Sequence, residues 1–209
     1  MEMLSPWLIE EEYYSKGYHA VCGVDEAGAG PLAGPVYAAA VILPRGLVIG
    51  GLNDSKKLTP KKRDALYDLI REKALAYAVA SVSAAEIDEI DILNARMRAM
   101  QLAIDALKIK PDFALIDGNR DHGSRYAIET AHATVIGGDG RSASIAAASI
   151  LAKVSRDRYC MEVMAKDYPA YRFEQHKGYG TKLHYEMLDA YGPSPIHRRS
   201  FLKSREEKQ

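Results

Sequence analysis

The chain has 209 residues, with 28 acidic and 28 basic side chains, and its composition is ordinary for a globular protein. This length allows one domain, or one domain with an appendage, that buries a sizeable core. A net charge of zero argues against a basic coat over the whole surface, although a local basic patch could still bind nucleic acid. No apolar run is long enough to span a membrane, the acidic start is unlike a signal peptide, and two cysteines make no disulfide framework. We therefore expect a cytoplasmic protein without a membrane partner.

The first half of the chain predicts a helix, a hairpin and a second helix. The first helix covers about residues 6–14, and two strands follow over residues 19–25 and 35–43. Thr59 and Pro60 have the pattern of an N-cap and a first helical residue, which predicts a helix over residues 60–73.

The second half alternates between strands and helices. A third strand is predicted over 77–82, and two more end in carboxylates, over 113–118 and 134–139. Further helices are predicted over 84–90, 92–107, 142–166 (capped by Ser142 or Ser144) and 181–191. Three antiparallel strands followed by two strands with helical crossovers indicate an α/β fold with a mixed sheet.

Two adjacent carboxylates, Asp25 and Glu26, follow the apolar run of the first strand, and a turn, Gly28-Ala29-Gly30, comes directly after them. Like charges at a strand end repel each other unless a cation lies between them. Carboxylate oxygens suit Mg²⁺ or Mn²⁺ better than zinc. Glycines allow the backbone to approach a ligand closely. This pattern indicates metal-assisted chemistry on a phosphate.

The same turn fits two other interpretations. Residues 28–33 match the G-x-G-x-x-A fingerprint of dinucleotide-binding folds, which requires a helix directly behind the glycines. Here Gly34-Pro35 and a strand-like run follow instead, which argues against a nucleotide cofactor. The remaining alternative is an acidic hairpin with a glycine turn and no ligand.

Two more aspartates, Asp117 and Asp139, lie at or just past the ends of predicted strands. In an open α/β sheet, functional sites collect at the carboxyl ends of the strands. If the first strand is central, these aspartates converge with Asp25 and Glu26. Four carboxylates in one cleft raise each other's pKa unless cations are bound, so the cluster predicts a metal site. Taken singly, each aspartate would be a turn or cap residue.

Basic residues cluster in two places. The two clusters are Lys56, Lys57, Lys61, Lys62 and Arg63, and Arg198, Arg199, Lys203 and Arg205. Each predicts either a patch that contacts phosphates or an ordinary solvated face.

Blocks distributed over residues 19 to 201 resemble the ribonuclease HII family, and they occur in the family's order. The blocks are DEAG (25–28), GPLAGPV (30–36), DSKKL (54–58), IDG (116–118), GD (138–139), SIAAASILAKV (144–154), HKGYGT (176–181) and GPSPIHRRSF (192–201). Together they cover nearly the whole chain and are far more specific than any single motif.

The resemblance implies a ribonuclease H-like α/β fold, with a mixed five-stranded sheet flanked by helices. It implies one catalytic domain over about residues 17–190, with a helical C-terminal extension over about 191–209, acting as a monomer. The implied activity is metal-dependent hydrolysis of RNA in RNA–DNA hybrids, and incision 5′ of ribonucleotides embedded in duplex DNA. Such cleavage leaves a 3′-hydroxyl and a 5′-phosphate, and it would serve primer removal and ribonucleotide repair.

The resemblance also implies site residues. The family's metal-site carboxylates, which hold two Mn²⁺ or Mg²⁺ ions, correspond to Asp25, Glu26, Asp117 and Asp139. Lys56 falls in the segment that contacts phosphates. Tyr179 falls on the tyrosine that packs against the sugar at the RNA–DNA junction and helps to read the 2′-hydroxyl. The backbone of Gly28, Ala29 and Gly30 corresponds to the family's substrate-contacting turn.

One residue departs from the family pattern. The turn usually reads Gly-Arg-Gly, whereas this chain has Ala29 at its centre. An arginine would contact a phosphate beside the scissile linkage, and alanine cannot. Two functions therefore remain open, an active metal-dependent endoribonuclease and a weakly active or inactive protein that binds RNA–DNA hybrids. The complete set of carboxylates favours the enzyme, because a pure binder gains nothing from four acids facing a polyanion.

Overall fold

The computed structural model describes residues 7–52, 58–119 and 125–206, but not the side chains of residues 204–206. Lys56 and most of its block therefore lie outside the described residues. The strands form one mixed sheet in the order β3-β2-β1-β4-β5. They are β1 Val21–Ala27, β2 Val36–Ile42, β3 Ala76–Val82, β4 Phe113–Asp117 and β5 His132–Val135. The first three pair antiparallel, whereas β4 is parallel to β1 and β5 is parallel to β4. The predicted mixed sheet is confirmed, and β1 is its central strand.

The described helices surround this sheet and extend to the C-terminal region. They are α1 Leu8–Ser15, α2 Pro60–Lys73, α3 Ala84–Ile90, α4 Ile92–Asp105, α5 Ala143–Tyr159, α6 Ala165–Asp167, α7 Phe173–His176, α8 Lys182–Tyr191 and α9 Arg199–Glu206. None of them is long and apolar enough to cross a membrane.

Side-chain caps start several of these helices, as the sequence predicts. The Thr59 side chain accepts a hydrogen bond from the backbone of Lys62 at the start of α2. Ser142, not Ser144, caps α5 by accepting from the Ile145 backbone over 3.1 Å. The long predicted helix continues past α5, but its backbone becomes π-helical over Cys160–Met164.

Helices cover both faces of the sheet. On one face, Cys22 and Val24 of β1 share a core cluster with Met100 of α4. On the other face, α5 lies directly against β1. A Cβ on Gly23 would lie 2.1 Å from the carbonyl carbon of Ser144, so only glycine allows this close approach. Because successive side chains of a strand alternate between faces, each acid at the end of β1 points to a different helix.

Three predicted details are wrong. The first strand begins at Val21 and continues to Ala27, so Glu26 lies within the strand rather than just past its end. The fifth strand ends at Val135, and Asp139 lies in a 3₁₀ turn between β5 and α5. Helices connect β3 to β4, but the described part of the β4–β5 connection contains no helix.

The C-terminal segment is fixed to the body of the protein by backbone contacts. Ala33 and His197 form an isolated β-bridge. Asp88, on α3, caps α9 from outside that helix. Its carboxylate accepts hydrogen bonds from the backbone N–H groups of Arg199 and Ser200, over 2.7 and 2.9 Å.

Candidate active site

Asp25 and Asp117 lie near the carboxyl ends of the neighbouring parallel strands β1 and β4, on the face that α5 covers. Val24 and Ile116 are the last paired residues of the two strands, and Asp25 and Asp117 are the residues that follow them. Asp25 is buried, and its Oδ1 accepts a hydrogen bond from the Glu26 backbone over 2.7 Å. Burial raises the pKa of Asp25 well above its usual range, and the carboxylates of Glu26 and Asp117 raise it further. Glu26 and Asp117 thus lie close enough to Asp25 to oppose its ionisation.

Glu26 points to the opposite face, toward α4. Its Oε1 lies 2.6 Å from Nη2 of Arg96, and both side chains are largely shielded from solvent. The ion pair therefore joins the end of β1 to the second turn of α4, and it holds Glu26 apart from the α5 face.

Asp139 is placed near Asp117 by a hydrogen bond of the preceding residue, Gly138. The Gly138 backbone donates to Asp117 Oδ1 over 2.7 Å, which fixes the 3₁₀ turn against the end of β4. A Cβ on Gly138 would lie 2.5 Å from Cδ1 of Ile145 and 3.1 Å from Oδ1 of Asp117, so a larger residue there would have to displace the Ile145 side chain. The turn comes immediately before α5, and the Asp139 side chain is half-buried.

The donor chemistry of these four carboxylates fits a hard divalent cation, because they are oxygen ligands and the negative charges of Glu26 and Asp117 disfavour that of Asp25. As the side chains stand, however, no three His, Cys, Asp or Glu residues in the described part of the chain lie close enough together to hold a metal ion. A complete ligand set therefore requires side-chain movement, and Glu26 is held by Arg96.

Two buried arginines, Arg156 and Arg198, contact the glycine turn. Gly28 has φ +93°, and a Cβ on it would lie 2.0 Å from Nε of Arg156. Both the backbone conformation and the packing against Arg156 therefore require glycine at position 28. The sequence had indicated only that glycine there lets a ligand approach the backbone. Gly30 differs, because a Cβ there would meet no atom within 4 Å. The open side of the turn is at Gly30.

Arg198 lies beneath this turn and is fully buried. It donates to the carbonyl oxygens of Gly28, Ala29 and Gly34 over 2.7, 2.8 and 2.9 Å. Burial, aided by the nearby charge of Arg156, lowers the pKa of Arg198 to about 9, so it stays charged at neutral pH. The interpretation of Arg198 as part of a surface patch or a solvated face is therefore wrong.

Arg156 joins the turn region to the segment that carries Tyr179. It is fully buried, and it donates to the carbonyl oxygens of Ala33, Pro35 and Lys177 over 3.3, 3.2 and 3.0 Å. Sequence analysis gave neither buried arginine a role at the site. The only available indication was their position inside the family-like blocks or next to them.

Tyr179 stands next to the glycine turn. The carbonyl oxygen of Gly178 accepts a hydrogen bond from the Leu32 backbone over 2.8 Å, which connects the two segments. The Tyr179 side chain is 40% exposed. The cationic groups of Lys153 and Arg156 lie 5.8 and 5.7 Å from its ring centroid. Tyr179 is therefore an exposed aromatic ring with two cationic groups beside it.

Three buried histidines support the Tyr179 segment from inside. Nδ1 of His176 accepts from the Gly178 backbone over 3.2 Å, and Nδ1 of His184 lies 3.0 Å from the carbonyl oxygen of Tyr179. The Nε2 atoms of His184 and His197 share a hydrogen bond of 3.0 Å. Burial lowers the pKa of both His184 and His197 to about 4, which keeps them neutral.

The basic cluster of α2 is exposed where it is described, at Lys61 and Lys62, while Arg63 donates to the Leu58 carbonyl oxygen. Both cysteines, Cys22 and Cys160, are buried and free, as expected from the sequence.

Comparison with known proteins gives matches over most of the chain. A family model described as Ribonuclease HII matches residues 22–204. The ribonuclease HII of Caldicellulosiruptor bescii is 55% identical over 196 residues, which cover 94% of this chain and 93% of the relative. That of Dechloromonas aromatica is 57% identical over 181 residues, which cover 87% and 90%. The crystal structure of ribonuclease H2 from Pyrococcus horikoshii superposes with a TM-score of 0.71 at 28% identity, covering 90% of this chain and 96% of the other.

Proposed function

Because the chain belongs to the ribonuclease HII family, we propose that it is an endonuclease for ribonucleotides paired with DNA. The chain is a ribonuclease H, and hence a nuclease and a hydrolase. Its finer activity is to cleave the RNA strand of RNA–DNA hybrids and to incise duplex DNA 5′ of an embedded ribonucleotide. The products carry a 3′-hydroxyl and a 5′-phosphate. It acts as a cytoplasmic monomer of one domain in primer removal and ribonucleotide repair.

The observation that carries this proposal is the position of Asp25 and Asp117 side by side on the parallel strands β1 and β4, shortly before the glycine turn, with Glu26 next to Asp25 but paired with Arg96. With Asp139, these acids would hold two Mn²⁺ or Mg²⁺ ions. Two bound ions supply activation of a water and stabilisation of the leaving oxygen. None of the carboxylates has to act as a covalent nucleophile. The burial of Asp25 excludes competing water from its carboxylate, which strengthens its attraction for a cation.

The glycine turn and Tyr179 recognise the ribonucleotide in this proposal. Arg198 engages the carbonyl oxygens of Gly28 and Ala29, which leaves the N–H groups of the turn to face the ribose and phosphate. The 2′-hydroxyl is the group that distinguishes RNA from DNA. The exposed ring of Tyr179 packs against the sugar at the junction, and the hydrogen bond between Leu32 and Gly178 keeps it beside the turn.

Analysis of product ends tests this function. A hybrid with a labelled RNA strand is incubated with Mn²⁺, and the fragments are tested for phosphatase-sensitive 5′ ends and polymerase-extendable 3′ ends. An all-DNA duplex of the same sequence is the control. The proposal expects both end types from the hybrid and no cleavage of the control. The alternative, a hybrid-binding protein with weak or no catalysis, is motivated by Ala29, and binding without cleavage would support it.

A further inference from the structure

We propose that Arg96, reaching the site from α4, contacts a phosphate of the bound nucleic acid and takes the part of the arginine that Ala29 lacks. This inference rests on the proposed function and adds a residue that contacts the substrate. It also makes the Glu26–Arg96 ion pair a resting arrangement that substrate binding rearranges.

The position of Arg96 supports this role. Glu26 is the second-last residue of β1, and Gly28 comes directly after the strand, so the ion-pair partner of Glu26 lies near the start of the glycine turn. The Arg96 side chain keeps 27% of its surface accessible, so it is neither sealed in the core nor fully solvated. Ala29 offers only a methyl group at this edge.

Arg96 also has unused hydrogen-bonding capacity. A guanidinium carries five N–H donors, and Nη2 uses one of them for Glu26. Its Nε is buried and donates to no partner among the residues that the structure describes. A buried donor without a partner is unfavourable, so a rearrangement that gives Nε an acceptor is favoured. A phosphate presents such acceptors in the geometry that suits a guanidinium.

The two buried arginines of the site cannot take this part. Arg156 and Arg198 each donate from three nitrogens to backbone carbonyl oxygens, and both are fully buried. They shape the turn and the Tyr179 segment. Arg96 differs because its one described partner is a side chain, the carboxylate that is itself proposed to bind a cation.

Charge gives the direction of the rearrangement. A divalent cation at Glu26 competes with the guanidinium for the carboxylate and repels it. The phosphate brings negative charge to the same edge and attracts it. Cation and nucleic acid binding together therefore shift Arg96 from Glu26 toward the phosphate, whereas neither alone is sufficient.

The test measures binding and cleavage separately. Binding of a DNA duplex with one ribonucleotide is measured with Ca²⁺ in place of Mg²⁺, so that the carboxylate set stays intact, over a series of salt concentrations, and each sample is checked for cleavage. The variants are Arg96→Ala, Arg96→Lys, Ala29→Arg and the combination of Arg96→Ala with Ala29→Arg. Arg98→Ala is the matched control, because Arg98 lies on the same helix and forms a 2.6 Å ion pair with Glu86.

We expect Arg96→Ala to weaken binding about tenfold at low salt, with Arg96→Lys in between. The slope of log K against log salt should fall by about 0.9, the value for one lost phosphate contact on duplex DNA. Arg98→Ala should leave both quantities unchanged. Ala29→Arg should strengthen binding more in the Arg96→Ala protein than in the protein with Arg96.

An unchanged affinity and salt slope in Arg96→Ala would overturn the inference. A loss of Mn²⁺ affinity with an unchanged slope would also overturn it, since Arg96 would then only position Glu26. If the wild-type protein cleaves no ribonucleotide-containing duplex, the proposed function fails instead. The binding series still decides whether Arg96 contacts phosphate in that case, so the two failures are distinguishable.

Discussion

Arg198 donates a 2.7 Å hydrogen bond from Nη2 to the carbonyl oxygen of Gly28, joining the C-terminal segment to the turn beside the carboxylates. Removing this guanidinium leaves three carbonyl oxygens without their donor, two of them buried and that of Ala29 partly buried. We expect Arg198→Met to lower the free energy of unfolding by about 2–4 kcal/mol. We also expect KM for the hybrid to rise, because the turn loses its fixed shape.

Arg198→Lys should rescue little of this loss, since an ammonium group cannot reproduce the planar donor pattern of a guanidinium. Urea unfolding and steady-state cleavage measure the two effects. Arg199→Met is the control, because Arg199 is exposed. Equal unfolding midpoints for Arg198→Met and Arg199→Met would show that the buried arginine does not support the turn.

Asp25 and Asp117 should be required for cleavage but not for holding the nucleic acid. We expect Asp25→Asn and Asp117→Asn to abolish cleavage while substrate affinity stays within a few-fold, because carboxylates hold cations and repel phosphates. In EDTA, Asp25→Asn should be at least as stable as the wild type, since it removes a buried charge near two other acids. Substantial turnover by either variant contradicts the assignment of these acids.

Tyr179 should contribute through its ring. Stacking of an aromatic ring is worth about 1–3 kcal/mol by alanine substitution, so Tyr179→Ala should reduce hybrid cleavage about ten- to a hundredfold. Tyr179→Phe should be milder. Tyr191→Ala provides the control, because that tyrosine is 61% exposed on α8. If Tyr179→Ala and Tyr191→Ala cleave a single-ribonucleotide duplex equally well, Tyr179 does not read the junction.

The buried histidines should make the protein less stable in acid. His184 and His197 have pKa values near 4 in the folded protein, against about 6.5 when unfolded, so the unfolded chain binds more protons between these values. Stability is therefore complete above about pH 6.5 and decreases as the pH falls toward 4. Each histidine contributes at most about 3 kcal/mol to this decrease, and the two contributions are not independent because the rings share a hydrogen bond.

Urea midpoints between pH 7 and pH 4.5 measure this dependence. His197→Asn can still accept from the Ser194 backbone, as Nδ1 does over 2.9 Å, but it removes one titrating ring. Its stability should vary less with pH than that of the wild type. Identical pH profiles would mean that these histidines do not control acid stability.

The sequence predicted the strands and helices well because apolar runs, glycines and N-cap residues are local features. Thr59 and Ser142 cap their helices, and the central position of β1 follows from the order of the runs. The position of Asp139 was wrong because Gly137 and Gly138 end the strand early. Gly137 adopts a left-handed conformation, and the chain enters a 3₁₀ turn there.

The supports of the site were less predictable. Arginines are mostly exposed, so a fully buried Arg156 or Arg198 cannot be inferred from local pattern. Their carbonyl partners lie 21 to 170 residues away along the chain. The Arg96–Glu26 ion pair likewise depends on the packing of α4 over β1, which only the folded chain reveals.

The most direct test of the central claim uses a DNA duplex that contains one ribonucleotide. The duplex is incubated with the protein in Mn²⁺, in Mg²⁺ and in EDTA, and the position of any cut is mapped. The proposed function predicts one cut, 5′ of the ribonucleotide, with either cation and none in EDTA or with Asp25→Asn. Cleavage that persists in EDTA, or tight binding without any cut in both cations, would contradict it.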